Sequence, residues 1–316
     1  MAFQWKGVFP ALTTPFNSTD ELDLEMFEKN LEAQLLAGVH GLIVGGSLGE
    51  ASTITQEEKA QLVKTSIHKV KGKIPVILNI AEASTREAIH QTKLAAAWGA
   101  DGLMLLPPMR YRSATSETLA YFKSIAASTD LPIMIYNNPI DYGIEVTPDM
   151  FEELAKVESI QAVKESTRDV TNITRMRNRF GERFQLLCGV DTLAMEELCM
   201  GADGWVAGLV DAFPEETVII YELIRQGRFE EAKKIYSWFL PLLELDIHPK
   251  LVQYIKLAGS VTGLGSEYVR APRLKLEGEE REKILRIIND AIACRPVLPG
   301  LSKTERKAVS LGISSL

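Results

Sequence analysis

Cysteine is scarce in this chain of 316 residues: Cys188, Cys199 and Cys294 are odd in number and show no CxxC spacing. That excludes a disulfide framework and a cysteine zinc site, and it fits a reducing cytoplasm. The four histidines, His40, His68, His90 and His248, are scattered with no HExxH-type pair, so metal chemistry has no support. Neither a metal nor a cofactor is expected. No stretch approaches the ~18 consecutive apolar residues of a membrane span. The opening "MAFQWKGVFPALTTPF" lacks the charged start, apolar run and small-residue cleavage site of a signal peptide. Positive charge is also short. A net charge of −7 and a pI near 5.4 argue against nucleic acid or an anionic membrane as partner. Arg175, Arg177 and Arg179 form a local basic stretch, whose alternate spacing beside helical sequence predicts a solvated face.

What the chain does have is apolar material in short pieces, 46% hydrophobic residues against 24% charged. Eight runs stand out: 7–14, 41–46, 74–80, 101–107, 131–137, 159–165, 183–189 and 203–208. They are apolar throughout rather than alternating, as parallel strands buried on both faces are. Helical patterns separate them. In 23–38, Leu24, Phe27, Leu31, Leu35 and Leu36 recur at helical spacing and Gly38 is placed to close the helix. Thr55 with Glu58 three residues later is the pattern of a capping box opening 55–72. Segments 84–100 and 147–159 repeat the arrangement, and "AGVHGLIV", "WGADGLMLL" and "MGADGWVAG" each read as helix end, glycine turn and strand.

Eight strand–helix units in about 210 residues predict a (β/α)8 TIM barrel, an α/β fold whose usual size is ~250 residues. A doubly wound sheet is the alternative, but no switch point interrupts the units. Past residue 210 only helical patterns remain, at 214–227, 229–245, 250–263 and 280–293. The first serves as the eighth barrel helix. The expected organisation is therefore a barrel over 1–227, a C-terminal three-helix extension over 228–295 and a loosely held tail over 296–316.

In such a barrel the active site forms at the C-terminal ends of the strands. Lys164 ends the sixth run and Tyr136 the fifth, on neighbouring strands spaced ~4.8 Å apart. A strand-end lysine has two ordinary explanations, a salt bridge to a residue such as Glu165 or a side chain that snorkels to the surface. The functional alternative is a lysine whose pKa is lowered by burial, able to attack a carbonyl or imine carbon and form a Schiff base. Tyr136 is either a core tyrosine with one hydrogen bond or, beside such a lysine, a proton relay. "GGSLGE" at 45–50 ends the second strand as a glycine-rich turn entering a helix, with backbone N–H groups and the Ser47 hydroxyl available to an anion. "LLPPMRYRS" at 105–113 ends the fourth with Tyr111 and two arginines, a binding loop or an interface.

The segments "ALTTPF", "GSLGE", "YNNP" and "VKES", in this order and spacing, resemble the pyruvate-dependent class I aldolase superfamily, which includes dihydrodipicolinate synthase and N-acetylneuraminate lyase. The resemblance covers residues 5–295. It implies Lys164 as the Schiff-base lysine, Tyr136 as its proton shuttle and Ser47 at the turn that holds the substrate carboxylate. Leu48 and Asn138 are expected beside the substrate, with Gly189 and Val206 bordering it through their backbones. Tyr111 would be lent across a tight dimer interface in a homotetramer built as a dimer of dimers. The partner is a small 2-oxo acid or cyclic imino acid.

Two departures set the chain apart. Dihydrodipicolinate synthases carry a second hydroxyl residue where Leu48 stands, which leaves the hydroxyl–tyrosine relay incomplete here. They also carry an arginine where Asp141 stands, and a carboxylate there would repel their aldehyde substrate. "GSLGE", "YNNPIDY" and "GVD" are similar instead to 1-pyrroline-4-hydroxy-2-carboxylate deaminases, which yield 2,5-dioxopentanoate. Aldolases or dehydratases of 2-oxo sugar acids are the nearest rivals. A non-catalytic oxo-acid-binding homologue would have been favoured by loss of Lys164 or Tyr136. A phosphate-binding barrel isomerase would want a better phosphate cradle than "GADGWVAGLVD".

Overall fold

A computed structural model describes residues 3–108 and 111–300; Arg110, one of the two arginines of the 105–113 loop, and the 301–316 part of the expected tail lie outside the described residues. Each apolar run contains a strand: β1 Gly7–Pro10, β2 Leu42–Val44, β3 Val76–Ile80, β4 Gly102–Leu105, β5 Ile133–Asn137, β6 Ile160–Glu165, β7 Gln185–Cys188 and β8 Gly204–Ala207. All pair in parallel with their sequence neighbours, and β1 pairs with β8 through Gly7–Gly204 to Pro10–Ala207. A parallel bridge between Ala11 and Ile43, with Leu12 N–H donating to Ile43 O at 2.9 Å, joins β1 to β2 and closes the ring. Closure rules out the doubly wound alternative. The protein is a (β/α)8 TIM barrel.

The helices follow in chain order: α1 Leu24–Ala37, α2 Gln56–Val70, α3 Thr85–Trp98, α4 Thr115–Ala126, the single turn α5 Pro139–Tyr142, α6 Pro148–Leu154, α7 Thr171–Phe180, α8 Ala194–Cys199 and α9 Pro214–Arg225. Three more, α10 Phe229–Leu243, α11 Leu251–Thr262 and α12 Gly278–Ala293, form the C-terminal extension. The local signals work as physics requires. Thr55 Oγ1 accepts the Glu58 N–H at 3.2 Å while the Glu58 carboxylate accepts the Thr55 N–H at 2.8 Å, which satisfies two N–H groups at the start of α2. Gly38 closes α1 at φ 90°, a left-handed conformation that a side chain would strain.

Two expectations need correction. Leu36 is 83% exposed rather than part of the apolar stripe of α1. The buried face instead admits Asn30 and Gln34, because their amides reach otherwise unpaired carbonyls: Asn30 donates to Asp211 O and Leu264 O, and Gln34 to Val210 O, each at 2.8 Å. The basic stretch is not simply a solvated face either. Arg175 and Arg179 pair with Asp169, Asp149 and Glu152, but Arg177 turns inward to Phe184 O, Gly201 O and the Asp203 carboxylate. A guanidinium presents several donors at once, so it can tie together the loops entering β7 and β8.

Candidate active site

Tyr136 and Lys164 are register partners across β5 and β6, followed by Asn137 opposite Glu165. The pairing places both side chains at the carboxyl ends of adjacent strands and on the same face of the sheet, where they open into a cavity of about 510 Å³. Ser47, Leu48, Asn138, Gly189 and Val206 line the same cavity. Tyr111 does not line it, and its side chain stands 56% exposed.

Neither ordinary explanation of Lys164 holds. The residue is only 7% exposed, which excludes snorkelling, and it forms no ion pair among the described residues. Glu165, the obvious partner, is turned away: its carboxylate accepts the Thr167 N–H and the Asn172 amide, both at 2.7 Å. The amine lies over the Tyr136 ring, 4.0 Å from its centroid. Burial lowers the Lys164 pKa from its usual range, against the pull of Tyr142, Asp246 and Asp191. Gly189 makes room for it. A Cβ there would sit 2.7 Å from Lys164 Cγ and Cε and 2.2 Å from Ser166 Oγ. A neutral amine in this setting can add to a carbonyl or imine carbon.

The Tyr136 phenol accepts the Asn138 amide at 3.1 Å, and burial pushes its pKa up to about 12, so it enters the cavity as a neutral O–H. Asn138 is itself fixed by Asp141, whose carboxylate accepts the same amide nitrogen at 2.7 Å and whose N–H donates back to Asn138 Oδ1 at 3.1 Å. Ser166 Oγ is buried on the cavity wall near the Tyr136 phenol and meets hydrogen-bond geometry with no partner among the described residues.

The turn at 45–53 differs from the expected entry into a helix. Gly45 at φ 67° starts successive turns in which Glu50 N–H donates to Ser47 O and Ala51 N–H to Gly46 O, both at 3.1 Å, and α2 begins only after Thr55. No helix terminus faces the cavity there. The Ser47 and Leu48 N–H groups nevertheless have no partner among the described residues and remain available to an anion. A buried strut holds this turn from behind. The Glu50 carboxylate accepts Lys256 Nζ of α11 at 2.7 Å and the Arg270 N–H at 3.0 Å, with the Lys256 and Glu50 side chains 1% and 0% exposed.

Tyr142, absent from the expected site, is the main addition from the barrel. Its phenol hydrogen-bonds Ser47 Oγ at 2.5 Å and its ring meets the Tyr136 ring edge-on at 5.5 Å between centroids. Ser47 thus has a tyrosine partner in Tyr142, while Tyr142 meets Tyr136 through its ring and not through a hydrogen bond among the described residues. The sequence signal was available: Tyr142 lies six residues after Tyr136, just past the strand end, on the turn α5. Asp246, from the loop between α10 and α11, also lines the cavity, as do Arg168 and Arg273. Nothing in the sequence pointed to a carboxylate from outside the eight strand ends.

Known proteins are similar to this chain over most of its length. A 4-hydroxy-tetrahydrodipicolinate synthase of Exiguobacterium sibiricum is 36% identical over 275 residues, 86% of this chain and 92% of that protein. The solved 4-hydroxy-tetrahydrodipicolinate synthase of the thermoacidophilic methanotroph Methylacidiphilum fumariolicum SolV superposes with a TM-score of 0.86 at 28% identity, covering 92% of this chain and 98% of that one. A structure described as the first monomeric dihydrodipicolinate synthase variant gives a TM-score of 0.85 at 28% identity, over 92% and 97% of the two chains. The sequence profile of the Dihydrodipicolinate synthetase family matches residues 4–291. The chain belongs to the dihydrodipicolinate synthetase family, the Schiff-base lyases of the class I aldolase superfamily.

Proposed function

We propose that the chain is a lyase that joins Lys164 to C2 of a small 2-oxo or cyclic 2-imino acid, and that its substrate is 1-pyrroline-4-hydroxy-2-carboxylate, deaminated to 2,5-dioxopentanoate. The observation that carries the chemistry is the buried, ion-pair-free Lys164 amine beside the Tyr136 phenol. In this reading the Ser47 and Leu48 N–H groups take the C1 carboxylate, and Asn138, Gly189 and Val206 shape the wall around C2. Tyr136 carries protons to and from the reacting centre, and Tyr142 with Ser47 extends the relay towards the carboxylate end. Overall the substrate takes up one water and releases ammonia.

The choice of a cyclic imino acid rests on Asp141 and Leu48. A carboxylate and an apolar side chain on this wall suit a ring nitrogen and ring carbons better than a second substrate bearing its own carboxylate. A second reading, an aldolase or synthase condensing a 2-oxo acid with an aldehyde, is favoured by the names of the relatives and by Arg168. This arginine lines the cavity without an ion pair among the described residues and could take a carboxylate. We place Tyr111 at a subunit interface of a homotetramer, consistent with its exposure.

Borohydride trapping followed by peptide mass analysis tests the reading, with pyruvate and 4-hydroxy-1-pyrroline-2-carboxylate in separate incubations. The expected result is an adduct on Lys164 with the pyrroline, accompanied by ammonia release. Trapping by pyruvate alone moves the assignment to the aldolase. No adduct on Lys164 with either compound overturns imine catalysis.

A further inference from the structure

We infer that Asp246, contributed by the C-terminal extension, is a catalytic acid that protonates the group leaving C2 as the Lys164 imine forms. The inference rests on the imine chemistry proposed above and names the proton donor for one of its steps.

The first observation is position. Asp246 sits in the short 3₁₀ turn Glu244–Ile247 and lines the cavity that holds Lys164 and Tyr136. A space in the barrel wall receives it. Gly208, just past the end of β8, has no side chain, and a Cβ built there would stand 2.5 Å from Asp246 Oδ1. The carboxyl of the extension thus fills the place that a side chain at this strand end would occupy.

The second observation is separation. Asp246 and Lys164 sense each other's charge, yet they form no direct ion pair among the described residues. Two polar groups that line one cavity without forming an ion pair leave space between them for a reacting atom. An Asp246 serving only to neutralise Lys164 would contact it.

The surroundings fit a proton donor. Asp191 lies behind Asp246 with its carboxylate fully engaged by the Trp205 indole N–H at 2.9 Å, the Gly208 N–H at 3.1 Å and the Leu209 N–H at 2.8 Å. Such donors hold Asp191 in place, and burial, followed by the Asp191 carboxyl beside it, raises the Asp246 pKa against a hydrogen bond from the Asp191 backbone. Asp141 adds to the same effect, and Lys164 opposes it. Two carboxyls that share a site and differ in hydrogen bonding divide their roles, Asp191 held by its donors and Asp246 facing the cavity.

The step balances. Neutral Lys164 adds through its nitrogen to C2, and one of its two amine protons passes by way of Tyr136 to the ring nitrogen of an imino acid, or to the carbonyl oxygen of an oxo acid. The C2–N or C2–O bond then breaks. Its electron pair goes to the nitrogen or oxygen, which takes the Asp246 proton: the nitrogen becomes a primary amine still bonded to C5 of the opened ring, and the oxygen departs as water. What remains is the Lys164 iminium facing the Asp246 carboxylate, with no change in total charge. When water later hydrolyses the final imine, the carboxylate takes a proton from that water and the acid is restored.

The test follows the borohydride-trapped mass of the full-length protein through time, with pyruvate and with 4-hydroxy-1-pyrroline-2-carboxylate. Wild type is compared with Asp246→Asn, Asp246→Glu and Gly208→Ala. Asp246→Asn should form the Lys164 adduct at least about 10²-fold more slowly, the lower end of what a positioned acid contributes. Asp246→Glu should recover part of the rate, and kcat should fall while KM holds. Gly208→Ala keeps the carboxyl but displaces it, so it should lose the same step; it also serves if Asp246→Asn does not fold. An adduct that forms at the wild-type rate in folded Asp246→Asn, or a Gly208→Ala protein as fast as wild type, overturns the inference alone. No adduct in the wild type overturns the imine reading and this inference with it.

Discussion

Lys164 has lost its water without forming a direct ion pair among the described residues, and its expected behaviour follows from that imbalance. Lys164→Ala should abolish turnover while leaving the melting temperature and circular dichroism unchanged, since no salt bridge is lost with the side chain. Tyr136→Phe keeps the ring under the amine and removes only the hydroxyl, so kcat should drop by roughly 10²–10⁴-fold in a steady-state assay. Both residues were legible in the sequence because a polar side chain at the end of an all-apolar run must face something other than the core. Tyr142 and Asp246 were harder. Tyr142 sits on a one-turn helix whose direction no periodicity reveals, and Asp246 reaches the site from a loop whose approach only the packing of α10 and α11 decides.

At the scale of elements, all eight strands were readable because burial on both faces imposes an unbroken apolar run, and the capping residues marked where α1 and α2 stop and start. The turn at 45–53 was misread because its anchor is 206 residues away, in α11. That anchor makes a prediction. Lys256→Met leaves Glu50 buried with only the longer Arg273 pair at 3.7 Å, which should cost about 3–5 kcal/mol by urea denaturation. Adding Glu50→Gln should restore part of the loss, and the single variant should show a raised KM as the turn shifts. Helix α8 offers a pH dependence. Glu197 is fully buried, neither carboxylate oxygen meets hydrogen-bond geometry among the described residues, and burial pushes its pKa from 4.5 up to about 8, with Glu165 and Glu196 acting in the same direction and the Cys188 thiol against them. Between those values the folded state holds a proton that the unfolded state has released, so stability falls as pH rises through the window. Glu197→Gln removes this slope, and its melting temperature should gain on wild type between pH 5 and pH 8.5.

Across the whole molecule, barrel and extension share one core. Helix α9 is buried along most of its length, and Phe213 before it packs edge-on against Trp238 and Phe239 of α10 at 6.2 and 5.6 Å between ring centroids. A chain ended at residue 227 should therefore be recovered insoluble or without cooperative unfolding, as measured by soluble yield and thermal melts. The sequence divided the two parts by pattern, strand–helix units before and helices alone after. It could not show that the second part covers the last helix of the first and supplies a wall of the cavity.

The strut from Lys256 to Glu50 also sets an order in time. Synthesis runs from the amino end, and the ribosome delivers the eight barrel strands well before α11 emerges. Until then Glu50 lacks its cation, the turn that offers the Ser47 and Leu48 N–H groups is unsupported, and the Asp246 side of the cavity does not exist. A nascent chain with every strand in place would still have no competent site, so ligand could not reward a half-made barrel and would stabilise only the finished one.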